Sequence, residues 1–274
     1  MIKCILSGKM KMLVFDLDGT LLDGNRNMPL ENINYLNKLK RKGYIIVIAT
    51  GRTLLSACDK LNNIKCVDYI ISDTGGKIYD LGKKEFIYKK SISNDTAFSI
   101  LNLYNDNFRY IDVCSNGKYY KYSLLLKVND DIVKTYKNKQ KLFNDINGID
   151  HIGINFKNNK YATEMYNYIK SSYNDINCII MQDSFSDEKW LEILPKNTNK
   201  YNAISQLAIH LNIPNERIMA FGDGLNDIEM LEKCGYGVAM ANALNEVKKK
   251  SNYTTKKSNE ELGVIDFLKE YLND

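Results

Sequence analysis

The chain has 274 residues, enough to bury a sizeable core as one large domain or two smaller ones. Its 38 lysines and arginines exceed its 33 aspartates and glutamates for a net charge of +5, but the lysine-rich stretches (38–42, 134–141 and 248–257) carry no interleaved aromatics. They read as solvated helix faces and argue against a nucleic-acid surface, while the absence of any apolar run of membrane length argues against a membrane span.

Six cysteines lie far apart with no CxxC pair, and there are two histidines, His151 and His210, so neither a disulfide framework nor a zinc site is expected. Reduced thiols in a cytoplasmic protein are the expectation, and a mildly basic balance suits anionic ligands. Residues 1–9 have lysines that break any signal core and resemble a start-site extension.

The first predicted element is a strand over Met12–Leu17, which ends in two carboxylates, Asp16 and Asp18, followed by Gly19. Alternation along an extended chain puts both acids on one side of the strand's carboxyl end, and Gly19 lets the backbone turn away. Two like charges so placed need a cation or a shared proton, and an all-oxygen donor set favours Mg2+. The plainer alternative is a strand followed by an Asp-Gly turn.

A helix follows near Pro29–Lys42, with Leu30, Ile33, Leu36 and Leu39 on its expected core side and Pro29 suited to its first turn. The strand Tyr44–Thr50 ends in Ala49-Thr50-Gly51-Arg52, delivering a hydroxyl and a planar anion-binding fork. A helix over about Thr53–Asn62 and a strand over Asp68–Ser72 come next. After Asp73–Ile78 the pattern changes to strand-like pieces (Phe86–Lys89, Arg109–Cys114, Tyr119–Leu124, His151–Phe156) mixed with helices, as an α+β insert would. Tyr119, Tyr120, Tyr122 and Trp190 are read as insert core, with a pocket lining as the alternative.

Strand and helix alternate again from Leu191. Leu191–Pro195 leads to Lys200 and a helix over Tyr201–Leu211, then a strand over Arg217–Phe221 runs into Gly222-Asp223-Gly224-Leu225-Asn226-Asp227. Alternating strands and helices at both ends of the chain predict an α/β fold, a doubly wound parallel sheet. The carboxyl ends of such strands converge on one crevice, so Asp16, Thr50 and Asp223 are expected together with Lys200.

The order Asp16/Asp18, Thr50, Lys200, Asp223/Asp227, with the strings ATGR, GDGLND and Val238–Ala243, resembles the haloacid dehalogenase superfamily of phosphohydrolases, in its Cof-type branch. The resemblance implies a Rossmann-like core from residues 1–81 and 190–274 and an inserted α+β cap at 82–189. It further implies a Mg2+-dependent phosphatase of small phosphorylated metabolites, such as sugar phosphates or phosphate-bearing cofactors. Asp16 would attack phosphorus, Asp18 would act as acid and then base, and Lys200 would neutralise phosphoryl oxygens. Mg2+ would be held by Asp16, the main-chain carbonyl of Asp18, and Asp223, with Asp227 orienting a metal-bound water or Lys200. Thr50, Gly51, Arg52 and Asn226 would surround the transferring group.

Asp18 favours ester hydrolysis over dehalogenation or ion pumping, whose relatives lack an acid at that place. A phosphomutase on the same residues is the alternative. A non-catalytic binding protein is a third class, against which stand the intact Asp16, Asp18 and Lys200. The implied partner is a small phosphorylated substrate, with no nucleic acid and no membrane; a monomer and a homodimer are both compatible. The chain departs from the family pattern at Thr74-Gly75-Gly76, where Asn-Gly-Ala is usual, and at Tyr201 and Ala241, where glycine is common.

Overall fold

The computed structural model describes residues 10–62, 64–124, 133–146, 148–182 and 189–272, so the expected extension at 1–9 lies outside the described residues. The chain divides into two compact units: one made of the chain up to Lys89 together with the chain from Asn199 onward, the other of Lys90–Thr198.

In chain order, the first unit begins with β1 (Met12–Phe15), α1 (Leu30–Arg41), β2 (Ile45–Ala49), α2 (Leu54–Lys60), β3 (Tyr69–Ser72), β4 (Lys77–Asp80) and β5 (Glu85–Lys89). The second unit holds α3 (Asn94–Asn102), β6 (Phe108–Ser115), β7 (Lys118–Tyr122), β8 (Lys134–Tyr136), α4 (Lys139–Asp145), β9 (His151–Phe156), α5 (Lys160–Ser172), β10 (Ile176–Gln182) and β11 (Lys189–Pro195). The first unit resumes with α6 (Lys200–His210), β12 (Ile218–Gly222), α7 (Ile228–Lys233), β13 (Tyr236–Ala239), α8 (Asn245–Lys250), β14 (Tyr253–Thr254) and α9 (Gly263–Leu272).

The first unit's sheet has the order β14-β13-β12-β1-β2-β3-β4-β5, parallel from β14 to β3 and antiparallel at the β3-β4-β5 edge. The strands are apolar on both faces because both faces are covered. Leu13, Phe15, Ile46, Ile48 and Phe221 pack against α1, α2 and α9, while Met12, Val14, Val47 and Ala220 pack against α6 and α7. Phe15 and Phe221 are register partners and stack at 5.2 Å, which ties β1 to β12 next to the point where strand order reverses.

The second unit's sheet has the order β10-β11-β9-β6-β7-β8, antiparallel except between β7 and β8. One face carries Ile111, Val113, Ile152, Ile154, Leu191 and Ile193 against apolar residues of α3 and α5. No helix among the described residues is long and apolar enough to cross a membrane.

The structure differs from the sequence expectation in three places. First, the division falls at 90 and 198, not at 82 and 189: β5 pairs with β4 in the first sheet, and β11 lies between β10 and β9 in the second. Local alternation marks a strand but does not reveal its partner.

Second, α1 buries Asn32, Tyr35, Leu36 and Leu39, while Leu30 is 66% exposed, because the helix begins at Leu30 with Pro29 at its cap and its apolar stripe starts later. Third, of the insert's aromatics Tyr122 and Tyr120 join the core, but Tyr119 is exposed and, with Trp190, lines a cavity.

The corrected stripe of α1 predicts that Leu39→Ala lowers unfolding free energy by about 2–5 kcal/mol. Leu30→Ala is expected to change it by less than about 0.5 kcal/mol, both read from urea unfolding followed by circular dichroism.

Candidate active site

The loops leaving β1, β2 and β12 converge at one end of the first unit's sheet. β1 ends at Phe15, and its last backbone pairing continues through the Asp16 N–H to the Phe221 carbonyl at 3.0 Å. The chain then turns through Gly19 at φ +78, where a Cβ would lie 2.3 Å from Asp223 Oδ2. Gly19 is therefore required twice, by its dihedral and by the closeness of that carboxylate. The Gly19 carbonyl accepts a 2.8 Å hydrogen bond from the Asn242 amide.

Lys200, fully buried at the start of α6, is the hub of the site. Its Nζ donates to Asp16 Oδ1 at 2.6 Å and to Asp227 Oδ1 at 2.5 Å. Asp227 Oδ2 accepts the main-chain N–H groups of Asp223 (3.0 Å) and Gly224 (2.9 Å), so both of its oxygens are used. Asp223 Oδ1 accepts from the Thr20 hydroxyl at 2.9 Å. Among the described residues no hydrogen bond reaches Asp16 Oδ2 or Asp223 Oδ2.

α6 itself is held by the strained turn Asp73-Thr74-Gly75, whose φ values are all positive at 52°, 54° and 98°. A Cβ at Gly75 would come within 2.2 Å of the Asn199 carbonyl, so the turn sits directly against the residue that precedes Lys200.

Asp16 and Asp18 go to different partners. The strand stops before either residue, so period-two alternation does not extend to Asp18. Asp16 is buried on Lys200, whereas Asp18 is gripped by the Arg52 fork, Nε to Oδ2 and Nη2 to Oδ1, each at 2.6 Å. The expected anion-binding fork of Arg52 is thus taken by Asp18, which raises the guanidinium's pKa through that hydrogen bond.

Thr50 is buried, its hydroxyl accepting the Arg52 N–H at 3.1 Å. Asn226 is exposed, and its Nδ2 and the Thr74 hydroxyl would each lie 3.6 Å from a Cβ at Gly51. All nine expected site residues therefore lie at one end of the first unit's sheet. Sequence reasoning missed Thr20 and Asn242 as supports; the signal for Thr20 was its place directly after Asp-Gly.

The electrostatics of the cluster are those of a site short of positive charge. One carboxylate oxygen from each of Asp16, Asp223 and Asp227 lies within 4.8 Å of the others, so three negative charges face the single ammonium of Lys200 and leave two in excess. Burial raises the Asp16 carboxyl well above its ordinary range; Lys200 pulls it back, and Asp227 and Asp223 push it up again. Asp223 is pushed up to about 6, first by burial and then by Asp227, against the Thr20 hydroxyl and Lys200. Burial also disfavours the Lys200 ammonium, but Asp16 and Asp227 outweigh it and its pKa is raised.

A hard divalent cation fits this set: the donors are all oxygen, the excess charge is two, and the unused oxygens belong to Asp16 and Asp223. Asp227, with both oxygens engaged, fits an orienting role.

In the metal-free protein a raised carboxyl holds its proton longer in the folded state, so stability falls as pH climbs from the ordinary carboxylate range through about 6. Asp223→Asn removes that penalty. The variant is expected to match wild type near pH 4 and to exceed it by up to about 3 kcal/mol at pH 8, at roughly 1.4 kcal/mol per pKa unit. Mg2+ at pH 8 is expected to raise the wild-type unfolding midpoint and to move the variant's far less, which denaturant titration checks.

Known proteins resemble this chain along nearly its whole length. The chain is 27% identical over 283 aligned positions to the 5-amino-6-(5-phospho-D-ribitylamino)uracil phosphatase YitU of Bacillus subtilis, covering 96% of this chain and 97% of that protein. It is 29% identical to the phosphatase YwpJ of the same organism, covering 96% and 100%. A solved haloacid dehalogenase-like hydrolase from B. subtilis superposes with a TM-score of 0.80 at 26% identity, covering 95% of this chain and 99% of that one. The family model for haloacid dehalogenase-like hydrolases matches residues 13–268, and the chain belongs to that family.

Proposed function

We propose that this hydrolase is a Mg2+-dependent phosphatase of small phosphorylated metabolites that works through an aspartyl-phosphate on Asp16. The observation that carries it is the state of Asp16: one oxygen is fixed at 2.6 Å on a buried ammonium and the other receives no hydrogen bond among the described residues. A carboxylate held that way has one lone-pair face directed by the protein and one left for an electrophile. The relatives YitU and YwpJ, both matched along nearly their whole lengths, carry the name phosphatase, which supports a phosphoric monoester as the substrate.

In the first step the Asp16 carboxylate oxygen bonds to phosphorus, the ester P–O bond breaks, and Asp18 gives a proton to the departing alkoxide. In the second, Asp18 takes a proton from water as its oxygen bonds to phosphorus, the P–O bond to Asp16 breaks, and inorganic phosphate leaves. Asp16, Asp223 and the Asp18 main-chain carbonyl would hold Mg2+, which would supply the positive charge that the cluster lacks and that a phosphoryl group needs. Lys200 keeps Asp16 oriented and neutralises charge on the transferring group, while Asp227 holds Lys200 in place. The Thr50 hydroxyl, the Gly51 N–H and the Asn226 amide line the place for the phosphoryl oxygens.

Arg52 has a positioning role. It holds both oxygens of Asp18 in the carboxylate form, so Asp18 must leave the guanidinium and take up a proton from solvent before it can act as the acid.

Phosphate release from a panel of sugar phosphates, polyol phosphates and nucleotides is expected with Mg2+, to vanish with EDTA, and to fall by at least about 1,000-fold in Asp16→Asn. No release from any ester with Mg2+ bound would reject hydrolysis in favour of phosphoryl transfer to a second hydroxyl. Asp18→Asn is expected to slow steady-state turnover of every ester by about 100-fold or more, since all share the water step, while a single-turnover burst of p-nitrophenol is slowed much less because that leaving group needs no proton.

A further inference from the structure

The segment that follows β1 carries Asp18, Gly19 and Thr20, and three asparagine amides fasten its backbone from elsewhere in the first unit. Asn242 donates to the Gly19 carbonyl, Asn32 to that of Leu21 and Asn259 to that of Leu22, each at 2.8 Å. Asn32 and Asn259 are buried, whereas Asn242 is exposed and is aimed by a second bond, its Oδ1 accepting the Asn259 main-chain N–H at 3.1 Å. That bond settles which end of the Asn242 amide faces Gly19.

The loops carrying Asn242 and Asn259 act as one body. The hydroxyl of the buried Thr255 accepts the Ala241 N–H at 2.8 Å and donates to the Lys257 carbonyl at 2.6 Å, while the Thr255 N–H donates to the Ala239 carbonyl at 2.9 Å. Lys248 Nζ donates to the Ala241 carbonyl at 2.6 Å. The clamp on Gly19 is therefore anchored in the end of β13 and the turn before α9.

What the clamp restrains is the wall beside Asp223. Gly19 lies so close that a Cβ there would meet Asp223 Oδ2 at 2.3 Å, and the Thr20 hydroxyl holds Asp223 Oδ1 at 2.9 Å. Asp16, Asp223 and Asp227 repel one another, and relief on the Gly19 side requires the segment to move outward with Asp223. A bond on the Gly19 carbonyl opposes that motion. It preserves in the metal-free protein the repulsion that a divalent cation would relieve, so the cluster is assembled by the fold and not at the expense of ion binding.

We infer that Asn242, backed by Asn259, is a positioning residue that sets the affinity of the acidic cluster for Mg2+. Both act through the backbone at Gly19 and Leu22. The inference rests on the reading of that cluster as a Mg2+ site.

Affinity is read without substrate, from the rise of the full chain's urea unfolding midpoint with MgCl2 at constant ionic strength. Asn242→Leu keeps the branched shape and loses both polar atoms. It is expected to weaken Mg2+ binding by about five- to tenfold, the change that one hydrogen bond of ordinary net strength makes to an equilibrium. Asn259→Ala should shift it in the same direction. Asn215→Ala is the matched comparison, because Asn215 is also exposed and its amide also donates to a carbonyl at 2.8 Å, that of Lys233. That variant should lose similar stability and keep the wild-type Mg2+ response. In phosphate release, Asn242→Leu should need more Mg2+ for half-maximal rate and reach a kcat within about twofold of wild type at saturation.

An unchanged Mg2+ response in Asn242→Leu, an equal weakening in Asn215→Ala, or a kcat that stays low at saturating Mg2+ would overturn the inference. No Mg2+ response in the wild type would reject the reading of the cluster and this inference together. Weakened binding in Asn242→Leu without phosphate release from any ester, even by the wild type, would reject the phosphatase proposal while upholding this one.

Discussion

The buried ammonium of Lys200 is the interaction on which the rest of the site depends. An unpaired lysine at that depth would give up its charge, and carboxylates as close as Asp16 and Asp227 would repel each other without it. Paired, they join the end of β1, the start of α6 and the turn after β12, which lie far apart in the chain. Asp227 completes the arrangement by accepting two main-chain N–H groups with its second oxygen, which fixes the direction of its first. The result is an Asp16 carboxylate whose orientation is set before any ligand arrives.

The same cluster explains why a divalent cation suits this end of the sheet. Three carboxylates and one ammonium cannot balance, and burial makes the imbalance expensive, which appears as the upward shifts of Asp16 and Asp223. Close packing keeps the acids from separating: Gly19 has no side chain because Asp223 occupies the space, and Gly75 has none because the backbone before Lys200 does. The strain of three successive positive φ angles at Asp73-Thr74-Gly75 is tolerated where it holds the helix that carries the lysine. The second unit follows a different logic. Its helices cover one face of its sheet, and the other face carries Asp112, Asn155, Trp190 and Glu192.

Much of this was legible in the sequence. Each apolar run that ends in polar residues, at Asp16, at Thr50 and at Asp223, marks a strand whose carboxyl end bears chemistry, and a doubly wound sheet brings such ends together. What the sequence did not reveal concerned partners. Arg52 reads as a fork for any anion, and only spatial proximity shows that Asp18 takes it. Phe86–Lys89 and Leu191–Pro195 both read as strands, but an antiparallel partner in another part of the chain leaves no local mark, so each was assigned to the wrong side of a boundary. Leu30 carries the right residue type for a core stripe and lies exposed because the helix starts there.

The sequence by itself determined the residue chemistry and its order: which acids, which lysine, which hydroxyls, and that they sit at the ends of alternating strands and helices. These follow from local composition and periodicity, which a linear string contains. Tertiary structure alone decided which strand pairs with which, that Asp16 is buried on Lys200 while Asp18 is held at the surface by Arg52, and that Gly153 lies in register between Asp112 and Glu192. Those outcomes depend on distances between residues remote in the chain, and both Coulomb interactions and hydrogen bonds act on spatial distance, not on separation in sequence.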